Sequence, residues 1–190
     1  MTKETLNGDA IFVIRDFLTP EECQAFVARS ESAGYEEATI TTAAGAVMNK
    51  EVRDNSRLIQ DDPALEALLW ERFAPFLSPR LGDWRVVGLN ERFRYYRYDP
   101  GQKFASHRDG AFRRPNGEQS WLTLMVYLND DFSGGETKFY EDLDVLKLSV
   151  RPERGMALVF LHHHLHEGAP IVQGRKYVLR TDVMYALPNG

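Results

Sequence analysis

Along the first 83 residues, apolar positions recur largely at helical spacing; from Trp84 onward they fall in short runs separated by turn residues. Residues 11–14 form a short apolar strand. Thr19-Pro20-Glu21-Glu22 then supplies an N-cap, a proline at the first helical position and a glutamate at the capping-box position, and Cys23, Phe26 and Val27 continue at i, i+3, i+4. A second helix starts at Asp62-Pro63, runs through Leu65, Leu68, Leu69, Phe73 and Phe76, and stops between Pro75 and Pro79. Beyond it the pattern predicts strands over 85–98, 103–107, 121–128, 136–140, 147–150, 156–161 and 176–185. The breaks carry turn chemistry, as in Asp99-Pro100-Gly101, Asn116-Gly117 and Ser133-Gly134-Gly135. Many short strands at such spacing imply a mainly β, double-sheet roll or barrel, buttressed by N-terminal helices. The expected organisation is one domain over 1–190, with 1–83 a helical cover and first strand and 84–190 the β core.

Composition narrows the functional classes. With 190 residues, 43% hydrophobic and 27% charged, the chain has the make-up of one globular domain. Its apolar runs fall far short of the roughly 20 residues that span a bilayer, so no membrane helix is expected. The opening MTKETLNGDA lacks a basic region followed by an apolar one, and Cys23 is the single cysteine, so neither a secretory signal nor an intrachain disulfide is expected. A cytoplasmic location follows as an expectation. The net charge of −5 argues against a nucleic-acid partner. The basic, aromatic run 91–98 reads instead as a strand with alternating faces. No GxGxxG or P-loop pattern calls for a nucleotide.

Histidine carries the chemistry. There are five, His107 alone and His162, His163, His164 and His166 close together. His107-Arg108-Asp109 places an imidazole and a carboxylate at i and i+2, on one side of an extended chain. With a distant second imidazole they compose a 2-His-1-carboxylate triad, which leaves coordination positions open and suits non-haem Fe(II).

Three ordered segments give this pair a family context: "YRYDPGQKFASHRDG", "SWLTLMVYLNDDFSGGETKFY" and "VRPERGMALVFLHHHLHEGAPIVQGRKYVLRTDVMY". Together they resemble the prolyl-4-hydroxylase-like branch of the Fe(II)/2-oxoglutarate-dependent dioxygenases, over roughly residues 92–185. The resemblance implies a double-stranded β-helix, or jelly roll, core. It implies His107 and Asp109 as the proximal metal ligands and His166 as the distal one, with His162 and His164 as rivals if 161–166 is extended. It also implies a cation on the strand after the distal histidine for the far carboxylate of 2-oxoglutarate. Lys176 fits by spacing; Arg180, on the same face, has the better fork for a carboxylate. Tyr127 matches a tyrosine that donates to that carboxylate in relatives, and Tyr98 one that lines the pocket.

The implied activity is hydroxylation of an unactivated C–H, on a free amino acid or on a prolyl or other residue in a peptide. Fe(II), 2-oxoglutarate and O2 would take part, with ascorbate as an accessory reductant, and the products would include succinate and CO2. A small-molecule or peptide substrate is thus the expected partner. Arg53, Asn55 and Arg57 are read as a polar loop and Arg92 and Arg94 as strand residues, all of them solvated surface in preference to substrate contacts. The stretch 40–53 reads as a mobile lid. Two other readings stand beside the oxygenase: a non-catalytic jelly-roll module binding a metal or ligand, and a zinc-dependent, cupin-like hydrolase or isomerase that recruits His162 or His164.

Overall fold

A computed structural model describes residues 1–42, 45–142 and 145–188. The chain opens with β1 (Thr2–Asn7), β2 (Ile11–Arg15) and α1 (Pro20–Ala33). Short strands β3 (Glu36–Glu37), β4 (Ile40–Thr42), β5 (Gly45–Val47) and β6 (Arg53–Asp54) lead to β7 (Ser56–Asp61) and α2 (Pro63–Phe73). Then come β8 (Arg80–Leu81), β9 (Trp84–Leu89), β10 (Arg92–Tyr98), β11 (Lys103–His107) and β12 (Gln119–Tyr127). The chain finishes with β13 (Ser133–Gly134), β14 (Thr137–Asp142), β15 (Val145–Val150), β16 (Ala157–Leu161), β17 (Leu165–Gly168), β18 (Ile171–Gln173) and β19 (Lys176–Ala186).

Two antiparallel sheets face each other. The major one runs β1-β2-β16-β12-β19-β10-β7-β3, with β9 also bonded to β19 and β8 to β9; the minor one runs β15-β14-β17-β11-β6. The fold is a mainly β double-stranded β-helix, as the pattern and the resemblance led us to expect. Period-2 alternation divides each central strand between two cores. In β10, Phe93 and Tyr95 join Cys23, Leu69 and Phe73 beneath the helices. Tyr96 and Tyr98 point the other way, into the space between the sheets, with Tyr127, Phe139 and Phe160. Lys176, Val178, Arg180 and Asp182 of β19 alternate with Leu179 and Val183 in the same fashion, since Tyr96 pairs with Val178 and Arg94 with Arg180.

Both helices start where their caps place them. Thr19 Oγ1 accepts from the Glu22 amide while Glu22 reaches back to the Thr19 amide, and Asp62 caps Leu65. α2 ends at Phe73, before Pro75, and a single 3-10 turn carries the chain through Phe76.

Three differences from the sequence pattern matter. The run 85–98 is two strands, because the buried Asn90 side chain accepts from the Arg92 amide and turns the chain between them. The first 83 residues give the major sheet β1, β2, β3, β7 and β8, so they are more than a helical cover with one strand. In place of a loop, Arg53 and Arg57 lie on β6 and β7. Within 40–53, residues 43–44 lie outside the described residues; β4 and β5 pair antiparallel and β6 pairs with β11.

Candidate metal centre and co-substrate pocket

The proximal pair stands at the end of β11 and the distal histidine on β17. Between Phe104 and His107 the register of these strands shifts, which sets His107 directly opposite His166. Their rings lie 4.2 Å apart between centroids, and the Phe104 ring stacks on His107 at 3.6 Å. Asp109 is anchored just past the strand, where its amide donates to the His162 carbonyl at 3.1 Å.

Backbone carbonyls select the tautomer of both rings. His107 Nδ1 donates to Ala105 O at 2.8 Å and His166 Nδ1 to His164 O at 3.0 Å. A carbonyl can only accept, so each Nδ1 carries a proton, and in the neutral ring it is Nε2 that presents the lone pair. Those Nε2 atoms face opposite oxygens of Asp109, His107 at 3.6 Å from Oδ1 and His166 at 3.8 Å from Oδ2. The three ligand atoms all lie within 4.8 Å of one another. Among the described residues no other group of three His, Cys, Asp or Glu side chains is gathered in this way. Burial pushes His166 down to about 4, so the ring stays neutral and able to ligate.

Asp109 is held from two further sides. Thr123 Oγ1 donates to its Oδ2 at 2.6 Å, and Arg180 Nη2 stands 3.0 Å from its Oδ1. Burial, the largest single influence, would raise this carboxyl; Arg180, His107 and His166 together outweigh it and hold the group well below the usual carboxylate range. Two neutral imidazole nitrogens and one ionised carboxylate, converging from one side, form a donor set that fits a divalent iron and keeps other positions open.

Below this group, an inner pocket between the sheets is walled by Tyr98, Phe160 and Val178 and reaches Thr137 and Lys176. Lys176 is only 3% exposed. Its Nζ donates to the Gly135 carbonyl at 2.6 Å and sits 5.6 and 5.2 Å from the ring centres of Tyr98 and Tyr127. Burial pushes the ammonium down to about 7, against the pull of Glu136. The Gly134-Gly135 turn makes room for it. Both glycines have positive φ, and a Cβ on Gly135 would lie 2.5 Å from Ile171 Cδ1 and 3.3 Å from Lys176 Cδ. The Tyr127 hydroxyl stands one layer back, 2.7 Å from Thr137 Oγ1. Arg180, the other cation of the strand, spends its fork on Asp109, Asp182 and Thr123.

The histidine cluster divides. Residues 162–164 turn out of β16 in place of continuing it, so His162, His164 and His166 do not share a strand face. His162 is buried 3.8 Å from Asp182, His163 is exposed, and the His164 ring meets the edge of Phe139. Neither His162 nor His164 joins the ligand group.

Arg53, Arg57 and Arg94 need correction, because strand pairing turns them inward. Arg53 is 6% exposed, and all three line an outer cavity beside His107 and Asp109. Arg92 does lie outside, paired with Asp61 at 2.8 Å. Thr123, Thr137, Tyr96 and Phe104 also line the site without having been singled out in the sequence. The signal for Tyr96 was its i−2 spacing from Tyr98, and for Thr123 its i−4 spacing from Tyr127, both on the face that looks between the sheets.

Comparison with known proteins agrees with this geometry. A family model described as the 2OG-Fe(II) oxygenase superfamily matches residues 93–181. Probable prolyl 4-hydroxylase 3 of Arabidopsis thaliana is 25% identical over 195 residues, which cover 87% of this chain and 66% of that protein. The chain therefore spans just under two thirds of the length of that relative. A viral collagen prolyl hydroxylase from Paramecium Bursaria Chlorella virus-1, solved with 2OG, superposes with a TM-score of 0.65 at 21% identity, covering 97% of this chain and 100% of its own. A Trichoplax adhaerens prolyl hydroxylase, solved with a hypoxia inducible factor peptide fragment, gives 0.72 at 18% identity over 94% of this chain and 84% of its own. No helix among the described residues is long and apolar enough to cross a membrane.

Proposed function

We propose that this chain, a prolyl-4-hydroxylase-like Fe(II)/2-oxoglutarate oxygenase in sequence and fold, hydroxylates an unactivated C–H of an amino acid side chain, free or within a peptide. The observation that carries the reading is the gathering of His107 Nε2, His166 Nε2 and the Asp109 carboxylate around one point, within 4.8 Å, on a fold shared with prolyl hydroxylases. Iron(II) bound there, with 2-oxoglutarate and O2, supplies the oxidising chemistry, with succinate and CO2 as by-products.

The chain's own part is to bind, orient and exclude water. His107, Asp109 and His166 hold the metal on one side. Thr123 and Arg180 fix the carboxylate so that both its oxygens are already oriented. Lys176 takes the far carboxylate of 2-oxoglutarate, between Tyr98 and the Thr137–Tyr127 pair. We favour Lys176 over Arg180 because its hydrogen bond goes to a carbonyl, leaving its charge for a ligand, whereas Arg180 already serves Asp109 and Asp182. An unpaired ammonium at 3% exposure is costly, and a carboxylate offsets that cost.

Anaerobic addition of Fe(II) and 2-oxoglutarate should raise a visible charge-transfer band, and aerobic incubation should yield succinate. His107→Ala or Asp109→Ala should abolish both. Protein that neither binds 2-oxoglutarate nor makes succinate when loaded with Fe(II) would end this reading.

A further inference from the structure

The outer cavity is open, about 650 Å³, and lies against the metal group, sharing Tyr96, Phe104, His107, Asp109 and Arg180 with the inner pocket. Its size is in the range of about 300–1,000 Å³ typical of small-ligand sites. Five guanidiniums line it, Arg53, Arg57, Arg94, Arg108 and Arg180, against two carboxylates, Asp109 and Asp182. The chain as a whole has a net charge of −5, so this positive concavity is a local feature.

The pairing at the cavity is incomplete. Arg94 meets Asp182 at 3.0 Å and Arg180 meets Asp109 at 3.0 Å. Arg108 donates to the His163 carbonyl. Arg53 and Arg57 have no ion-pair partner among the described residues. Arg53 Nε donates to Asn55 Oδ1 at 2.8 Å, its guanidinium is sandwiched 4.8 and 4.5 Å from the ring centres of Tyr96 and Phe104, and its buried Nη2 has no hydrogen-bond partner. Arg57 reaches only Thr39 Oγ1, at 3.4 Å. Burial and then the neighbouring Arg53 and Arg94 disfavour its charge, against smaller support from Tyr96 and from Glu36, its cross-strand neighbour on β3. Like charges gathered under cover without a counter-ion destabilise a fold unless a ligand supplies the anion.

On the oxygenase reading above, we propose that the substrate carries a carboxylate that docks on Arg53 and Arg57, with Arg94 at its flank, while the carbon to be hydroxylated reaches toward the metal group. The ligand is not 2-oxoglutarate itself: Lys176 does not line the outer cavity, and Arg53 and Arg57 do not line the inner pocket. Two sources share this chemistry, the α-carboxylate of a free amino or imino acid and the side chain of an acidic residue beside the target in a peptide. A neutral peptide would leave both guanidiniums covered and without a counter-charge.

The test is direct binding to the full chain loaded with Mn(II) and N-oxalylglycine, by calorimetry. Matched probes are L-proline with L-prolinamide, and an Asp-Pro peptide with its Asn-Pro counterpart. At least one acid should bind about tenfold to a hundredfold more tightly than its amide, the usual worth of a charge-assisted pair. Added salt should weaken the acid alone. In Arg57→Gln the acid–amide ratio should collapse, and in Arg57→Lys part of it should return. Preference within the proline pair identifies a free acid; preference within the peptide pair identifies an acidic neighbour. Equal binding of acid and amide, binding of no acid, or a ratio that survives Arg57→Gln would overturn the inference; the first two need only the wild-type chain. Failure of N-oxalylglycine to bind the Mn(II)-loaded protein would instead remove the oxygenase reading, and this inference with it.

Discussion

Two side chains that never touch the metal set the quality of its ligand group. Thr123 and Arg180 take one oxygen each of Asp109, so the carboxylate is aimed before the metal arrives. Thr123→Val keeps the shape and removes the hydroxyl. We expect metal affinity to fall about tenfold to a hundredfold, as for other supporting contacts, measured by calorimetry with Mn(II). Lys176 makes the matching prediction for the co-substrate. With its ammonium near 7, the charged form needed to grip a carboxylate is complete below that pH and fades above it. Affinity for 2-oxoglutarate should therefore decline above pH 7, approaching about tenfold per pH unit if no other group intervenes. The same shift has the opposite sign for stability. Between about 7 and 10.5 the unfolded chain binds a proton that the folded one does not, so the apo protein should gain stability as pH rises through that window. Lys176→Met should lose 2-oxoglutarate yet unfold at higher temperature at pH 7, by about 1–2 kcal/mol in stability. At this scale only the HxD pair is local in the sequence; its reading as a ligand pair, and His166 with it, came from the resemblance of the surrounding segments to a known family. The arginines were not legible: Arg53 and Arg57 look like loop residues until β6 meets β11 and β7 meets β10, contacts that span tens of positions.

Elements were legible where their ends carry chemistry. Thr19 and Asp62 announced both helices, and Thr19→Ala should cost about 1 kcal/mol in urea unfolding through loss of the capping box. The double glycine announced its turn for an equally local reason. A Cβ at position 134 would strike the Pro170 carbonyl, and one at 135 would strike Ile171. Gly134→Ala should destabilise the chain by about 1–3 kcal/mol, and Gly135→Ala should in addition weaken 2-oxoglutarate binding, since it also crowds Lys176. Strands with mixed or polar faces escaped the pattern. β1 is an edge strand, TKETLN, whose partner is β2 alone, and it has no apolar alternation to betray it. The end of β16 was legible, since the pattern stops that strand at position 161 and the three histidines that follow turn away from it.

At the scale of the molecule, structure and chemistry occupy opposite faces of the major sheet. Helices α1 and α2 seal one face with a largely apolar core, and the site lies on the other. Leu69→Ala, on the helical side, should cost about 2–5 kcal/mol in stability and leave affinity for 2-oxoglutarate unchanged at temperatures where the protein stays folded. A shift in affinity there would mean that the two faces are coupled. The two arginines of the outer cavity sit differently in the framework: Arg53 is on the two-residue β6 at one edge of the minor sheet, whereas Arg57 is on β7, which pairs with β10 over six positions and packs Leu58 against the helical core. β6 meets β11 at two positions only and works as a clasp on the rim of the sandwich, while β7 is part of the sheet that β10 needs on its outer side. Selectivity is thereby detached from foldability at position 53 and tied to it at position 57. Evolution, or an engineer, can exchange the short β6 rim to retune what is recognised, whereas a change on β7 has to keep its pairing and its Leu58 if the chassis behind it is to be inherited intact.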